Sequence, residues 1–172
     1  GIGILHRNLP IEQQAIEARA KRRIGLGVTG LADALAMCRI KYGSPEAVAQ
    51  VSEWMEAIAL AAYSASIELA KEKGPFPLFD VDGFLRAGSF AAERLPLEMQ
   101  DDIRKHGIRN ALLTSIAPTG TISLYAGNVS SGIEPIFAYG YTRKVLQADG
   151  SKVEEQVVDY ARRKGVELAQ AE

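Results

Sequence analysis

Sulfur and imidazole are almost missing from this sequence: Cys38 is its one cysteine, and His6 and His106 are its two histidines, among 172 residues. A single thiol excludes an internal disulfide and a thiolate zinc cage, and with no ligand cluster around either histidine no structural metal is expected. An excess of charge of one sign is missing as well. Lys and Arg number 20 against 21 Asp and Glu, so whole-chain electrostatics gives no reason to expect DNA, RNA or an anionic membrane as partner. Nor does any apolar run approach the roughly 20 residues that span a bilayer. The opening Gly1 to Asn8 is too short and mixed for a signal peptide. These absences lead to the expectation of a cytoplasmic protein.

What is present suffices for one core, with 47% of residues apolar and 24% charged, within the range of a single globular domain. The chain opens without methionine and enters a helix almost at once, which suggests native residues upstream; a processed start or a tag remnant explains it equally. Leu9-Pro10 places proline at a first helical position, and Glu12 to Arg23 with Ile11, Ala15 and Ala18 in helical spacing predicts a helix with a mostly solvated face. Ile24 to Val28 reads as a short buried strand. Thr29 is then expected to cap a second helix through Asp33 to about Met37. Cys38 extends that helix's apolar pattern, so it is expected to be a small buried hydrophobe rather than a reactive thiol.

The best-bounded element comes next. Ser44 can cap, Pro45 suits a first turn, Glu46 complements the dipole and Gly74-Pro75 stops the helix, which at 1.5 Å per residue is roughly 40 Å long. From Ala57 to Ile67 it carries no charge, so several of its faces should be covered, more than a small two-layer domain supplies. Gly74 to Phe79 is a connector, and Asp82 to Ala92 and Pro96 to Lys105 are expected helices. Ala111 to Ile116 reads as a buried strand. Tyr141 to Leu146 and Glu154 to Val158 flank Ala148-Asp149-Gly150, whose Asp-Gly signals a hairpin, and the tail from Asp159 looks helical.

Two glycine motifs compete for an anion. Gly25-Leu26-Gly27-Val28-Thr29-Gly30 satisfies the dinucleotide pattern G-x-G-x-x-G, but a charged helix precedes it where a strand is required, and no clear strand ending in an acidic residue follows about 20 positions on. Glycines that let a strand pack tightly against neighbouring backbone account for it better. Pro118 to Ser123 is different: a strand ends, proline fixes a turn residue, and Thr119, Gly120, Thr121, Ile122 and Ser123 can present backbone N–H groups at a helix start. The hydroxyls of Thr119, Thr121 and Ser123 could add donors, and Gly120 leaves room for an anion. An ordinary threonine cap is the bland alternative.

Four ordered blocks, Arg22 to Asp33, Ala117 to Ser123, Asn128 to Pro135 and Tyr141 to Leu146, together resemble the large chain of ribonucleotide reductase, with the likeness running from about Ala18 to Tyr160. The resemblance implies an α/β fold, in which residues 1–172 form a single partial domain, the helix-rich C-terminal portion of a ten-stranded α/β barrel. It implies that Thr119, Gly120, Thr121, Ile122 and Ser123 bind the substrate's phosphates, and that Gly25 to Gly30 belongs to a barrel strand and the helix after it. The Gly-Thr-Ile-Ser form of the loop, with Asn-Val-Ser-Ser-Gly-Ile-Glu-Pro downstream, looks most like the adenosylcobalamin-dependent class.

Chemistry in that family abstracts a ribose 3′ hydrogen with a cysteinyl radical and reduces the 2′ carbon with a cysteine pair. Those cysteines lie upstream in the family's order, and Cys38 falls where the family carries no required thiol, so no catalytic residue is expected here. The implied partners are a ribonucleotide substrate, the upstream part of the reductase and a dithiol reductant such as thioredoxin; the uncharged girdle of the long helix adds possible self-association into a homo-oligomer. No role follows for Asn128 or Glu134. A noncatalytic nucleotide-binding split subunit is the second reading, and a dinucleotide-dependent dehydrogenase the third.

Overall fold

The computed structural model describes residues 11–147 and 150–165. Its helices are α1 (Glu12–Lys21), α2 (Leu31–Met37), α3 (Pro45–Lys73), α4 (Val81–Phe84), α5 (Phe90–Arg94), α6 (Leu97–His106), α7 (Gly120–Tyr125) and α8 (Tyr160–Arg163), and its strands are β1 (Gly140–Leu146) and β2 (Lys152–Val158). The mixture is of α/β type. No helix among the described residues is long and apolar enough to cross a membrane. The chain divides into two compact units, Gly1–Leu26 with Glu53–Ser115 and Gly27–Ser52 with Ile116–Glu172.

The first unit is built on apolar packing. Ile67 of α3, Phe76, Ala91 of α5, Leu95, Ile103 of α6, Ile108 and Leu113 form one buried cluster. Phe79 meets Phe76 edge-on at 5.5 Å and Phe84 at 5.7 Å. One buried polar pair is mutually satisfied: the Ser66 hydroxyl donates to Asn110 Oδ1 at 2.9 Å and accepts from the Asn110 amide at 3.1 Å, while Asn110 Nδ2 donates to the Arg22 carbonyl. Such mutual satisfaction removes most of the cost of burying an amide side chain. Arg22 Nε and Arg109 Nε, by contrast, are buried without a partner among the described residues. α3 ends where Gly74 turns to φ 77°, and Arg109 Nη1 donates to the carbonyls of Lys73, Gly74 and Pro75 just past its last turn.

Several expectations need correction in this unit. Ile24 to Val28 and Ala111 to Ile116 do not form buried strands. They make a single parallel bridge, Leu26 with Thr114, supported by the Ile24, Leu26 and Ser115 amides. Leu26, Leu112 and Ile116 are about half exposed, because parallel strands are stable only when covered and flanked by neighbours. The expected helix Asp82 to Ala92 is two, α4 and α5, broken where Gly88 takes φ 84°. Asp80 caps the first through Gly83 and Ser89 the second through Ala92. The uncharged girdle of α3 is covered on fewer faces than expected: Ser66 and Ile67 are buried, whereas Ala57, Ala61, Ser64 and Ala65 stay exposed. α1 buries none of its residues, as its polar face requires; the proline at its expected start, Pro10, lies outside the described residues.

In the second unit α2 begins at Gly30, which has φ 80° and is the N-cap; Thr29 is not. The Thr29 hydroxyl instead donates to the Ser130 carbonyl at 2.8 Å. Cys38, expected to be buried, is exposed just past the last turn of α2; the apolar pattern continues past the point where the helix stops. Ser44 caps α3 through the Ala47 amide. β1 and β2 pair antiparallel in the register Gly140 with Val158 to Leu146 with Lys152, the expected hairpin, although Ala148 and Asp149 of its turn lie outside the described residues. α8 follows at once, with Asp159 accepting from the Ala161 amide as its cap.

Candidate functional site

Beyond Pro118 the backbone makes a turn that few side chains tolerate. Thr119 sits at φ 46°, ψ 25°, the left-handed region that a β-branched residue rarely enters. Its hydroxyl explains how it is held: Oγ1 accepts from the Gly132 amide at 2.6 Å and donates to Thr29 Oγ1 at 3.1 Å, and Thr29 passes the chain on to the Ser130 carbonyl. Gly132 is required where it stands, since a Cβ there would meet the Ala117 carbonyl oxygen at 2.6 Å. A strained residue held by a polar relay is a common feature of ligand clamps.

α7 starts immediately after this clamp. The Ser123 amide closes the first helical bond to the Thr119 carbonyl at 2.7 Å, and its buried hydroxyl donates to the Gly120 carbonyl at 2.8 Å. Ser123 therefore frames the turn, and the expectation that it offers a free amide and hydroxyl is corrected: a buried hydroxyl finds its partner inside. The Thr119 hydroxyl is likewise committed to the framework. The amides of Gly120, Thr121 and Ile122 and the Thr121 hydroxyl have no protein partner among the described residues, and Gly120 and Thr121 are exposed. A Cβ added at Gly120 would meet nothing within 4 Å.

Gly120 and Thr121 border a cleft of about 440 Å³, whose walls also include Asn128, Glu134, Tyr141 and Asp159. Phe137, at 93% exposed, stands at its edge and packs edge-on to Tyr141. Behind the wall lies a second carboxylate that sequence reasoning missed. Asp33 of α2 accepts from the Ser130 amide at 2.6 Å and from the Ala161 amide at 3.0 Å, and Asp159 accepts from that same Ala161 amide at 3.0 Å. Burial, and then the hydrogen bond and charge of Asp33, push Asp159 up to about 6. The only advance signal was a charged residue inside the apolar pattern of Leu31 to Met37. Nothing in the sequence joined it to Asp159.

Gly25 and Gly30, the ends of the competing motif, make room for neighbouring side chains rather than neighbouring backbone. A Cβ at Gly25 would press on Ser115 Cβ at 3.1 Å, and one at Gly30, whose φ is positive, on Val129 at 3.3 Å. Among the described residues no group of three or more His, Cys, Asp or Glu is placed to hold a metal ion.

Comparison with known proteins points to one family. A family model described as ribonucleotide reductase, barrel domain, matches residues 3–172. The chain is 44% identical over 137 residues to a vitamin B12-dependent ribonucleoside-diphosphate reductase of Mycobacterium tuberculosis (H37Rv), covering 80% of this chain and 17% of that one. It is 42% identical over 139 residues to the protein of that description in Thermoplasma acidophilum, covering 80% and 16%. To the ribonucleoside-diphosphate reductase large chain of Encephalitozoon cuniculi it is 33% identical over 158 residues, covering 87% and 20%. The chain thus spans a fifth or less of these relatives' length.

Proposed function

The chain belongs to the ribonucleotide reductase barrel-domain family, and from that premise we propose that it is the C-terminal portion of the catalytic barrel, a single partial domain that holds the phosphates of a ribonucleoside diphosphate. The observation that carries this reading is the set of amides at Gly120, Thr121 and Ile122 that have no partner among the described residues, the first two of them on the cleft wall. Backbone N–H groups at a helix start bind anions without bringing a counter-charge close to the reacting sugar. Thr121 adds a hydroxyl donor, Gly120 leaves space for close approach, and Thr119 and Ser123 fix the turn. The chain's task is to bind and orient, not to transfer electrons.

In the complete enzyme, reduction at the ribose 2′ carbon would draw on cysteines outside this chain and on a dithiol reductant such as thioredoxin. Cys38 is exposed, and it lies past the end of α2 rather than in the cleft wall. The Mycobacterium and Thermoplasma relatives are named as vitamin B12-dependent, which supports adenosylcobalamin as the cofactor of the complete enzyme. A cleft of about 440 Å³ suits a nucleotide's phosphate end and not a corrin ring, so no step is assigned to cobalamin through these residues. The nearly fully exposed Tyr125 and Phe137 support a surface completed by the rest of the barrel or by self-association.

The test is Gly120→Val. Since a side chain there meets nothing within 4 Å, the fold should be kept while a ligand is blocked. Loss of one contact between an amide and a charged group, at about 1.5–3 kcal/mol, predicts roughly a tenfold or greater fall in pyrophosphate affinity of this chain by calorimetry, and a matching rise in KM in the complete enzyme. Unchanged affinity with an intact fold would remove the phosphate site. Turnover by this chain alone, abolished by Cys38→Ser, would overturn the division of labour.

A further inference from the structure

Two carboxyl groups converge on one backbone hydrogen in the second unit. Asp33 and Asp159 are 3% and 5% exposed, and each places an oxygen 3.0 Å from the Ala161 nitrogen. A shared Ala161 N–H and a few neighbouring amides, with no cation, do not compensate two buried negative charges, and like charges brought together out of water do not both ionise. The geometry therefore asks for a proton between them. Both Asp33 oxygens already accept N–H groups, from Ser130 and Ala161, so the shared proton belongs on Asp159.

Among the described residues no cation pairs with either carboxyl. Asp33 is the one charged residue of α2. From the Asn128–Pro135 segment the facing titratable group is Glu134, and from β1 it is Tyr141, both on the cleft wall. The cations of the neighbouring elements are committed elsewhere: Arg143 and Lys144 pair with Glu155 and Glu154 across the hairpin, Arg163 donates to the Gly127 carbonyl, and Arg163 and Lys164 lie over the Tyr160 ring. Arg162 Nη1 lies against Gly140. The influences on Asp159 are burial, Asp33 and the Ala161 and Arg162 amides.

What the pair holds is Ser130. Its amide bonds to Asp33, its carbonyl accepts from the Gly30 amide at 2.7 Å and from Thr29, and its hydroxyl accepts from the Ala32 amide at 3.1 Å. Two residues on, the Gly132 amide bonds to the Thr119 hydroxyl that clamps the start of α7. We propose that Asp33 and Asp159 form a proton-sharing positioning pair which sets the Asn128–Gly132 segment, and through it the amide-lined turn at Gly120, so that phosphate binding weakens when the pair loses its proton. This rests on the phosphate-binding reading above. Asp33 acts through Ser130 and Thr119, and Asp159, which also lines the cleft wall, acts through Asp33. Because linkage is reciprocal, a bound phosphate should in turn make the pair harder to deprotonate.

The experiment uses this chain, with carbon-13 carboxyl labels on aspartate, pyrophosphate as the probe and amide exchange at Ser130 and Ala161. One aspartate carboxyl should titrate near pH 6, the two amides should lose protection over that range, and added pyrophosphate should move the titration upward. Asp159→Asn keeps an acceptor for Ala161 and offers Asp33 a permanent donor, so it should bind pyrophosphate at every pH as the protonated wild type does. The ratio of wild-type to Asp159→Asn affinity, in which the probe's own ionisation cancels, should fall about tenfold per pH unit above the pair's titration. A flat ratio, or both carboxyls titrating near the ordinary value, would overturn the pair. Should Asp159→Asn fail to fold, the wild-type titration and exchange decide alone. Absence of pyrophosphate binding at any pH, with the titration and exchange as expected, would sink the phosphate reading and with it the positioning role, leaving the shared proton as a separate finding.

Discussion

The two units keep themselves folded by different means. In the first, Ile67, Phe76, Leu95, Ile103, Ile108 and Leu113 bury against one another, and the buried polar groups, Ser66, Gln100 and Asn110, are neutral and mutually or locally satisfied. In the second, the buried set is small and polar: Ala32, Leu35, Ala47 and Ala161 share their interior with Asp33, Ser123, Ser130 and Asp159. An apolar core is insensitive to proton activity and tolerant of shape. A core built on a carboxyl pair specifies one arrangement and responds to pH. That the amide-lined cleft lies in the second kind of unit fits a division in which one part supplies bulk stability and the other supplies a geometry that must not drift.

The sharpest way to break the comparison is to open a hole in the apolar side. Ile103 is fully buried, and Ile103→Ala should cost about 2–5 kcal/mol by lost transfer energy and cavity formation. Urea unfolding followed through Trp54 should record it, with protection lost first at amides of α6. If the Ser130 and Ala161 amides lost protection equally, the two units would be one cooperative body and the contrast would fail.

A smaller effect should come from pH. The folded-state value of Asp159, about 6, lies above its ordinary 3.8, so the native state holds the proton more tightly than the unfolded chain. The pair's contribution is therefore complete below pH 3.8 and is lost as pH rises through about 6. Protection factors at Ser130 and Ala161 should decline across that window, while those in α6 should not follow. A decline shared by both units would sharpen the point in the opposite direction, tying the apolar core to the carboxyl pair.

These differences also mark what the sequence could tell. α3 was legible from both ends because its signals are local: Ser44 bonds Ala47, and Gly74 takes the positive φ that ends the helix. The hairpin was legible because alternation and turn chemistry lie side by side in the chain. Ile24 to Val28 and Ala111 to Ile116 misled because an apolar run states a demand for cover, and these residues meet each other at one bridge only. The helix expected over Asp82 to Ala92 is divided in two at Gly88, whose φ of 84° the helical spacing did not reveal. At the site, Pro118 and Gly120 announced the turn, but the inward commitment of Ser123 and Thr119 depends on partners at Ser131, Gly132 and Thr29. Asp33 was hidden for the same reason: the residues that give it a role are 97 and 128 positions away.

That separation has a consequence in time. When a chain collapses, contacts between neighbours form first, and each long loop must be closed at an entropic cost before its bond can repay it. The Ser44 cap and the turns of α3 join residues a few positions apart, whereas the grip of Asp33 on Ser130 and Ala161 closes loops of 97 and 128 positions. The carboxyl clasp should therefore be a late event, absent from the rate-limiting step. Asp33→Asn should leave the refolding rate nearly unchanged and speed unfolding, a φ-value near zero in stopped-flow measurements, while a value near one would place the clasp in the nucleus. A newly made chain would then have its apolar framework before it has the proposed phosphate site, and the turn at Gly120 would take shape only when everything around it is finished.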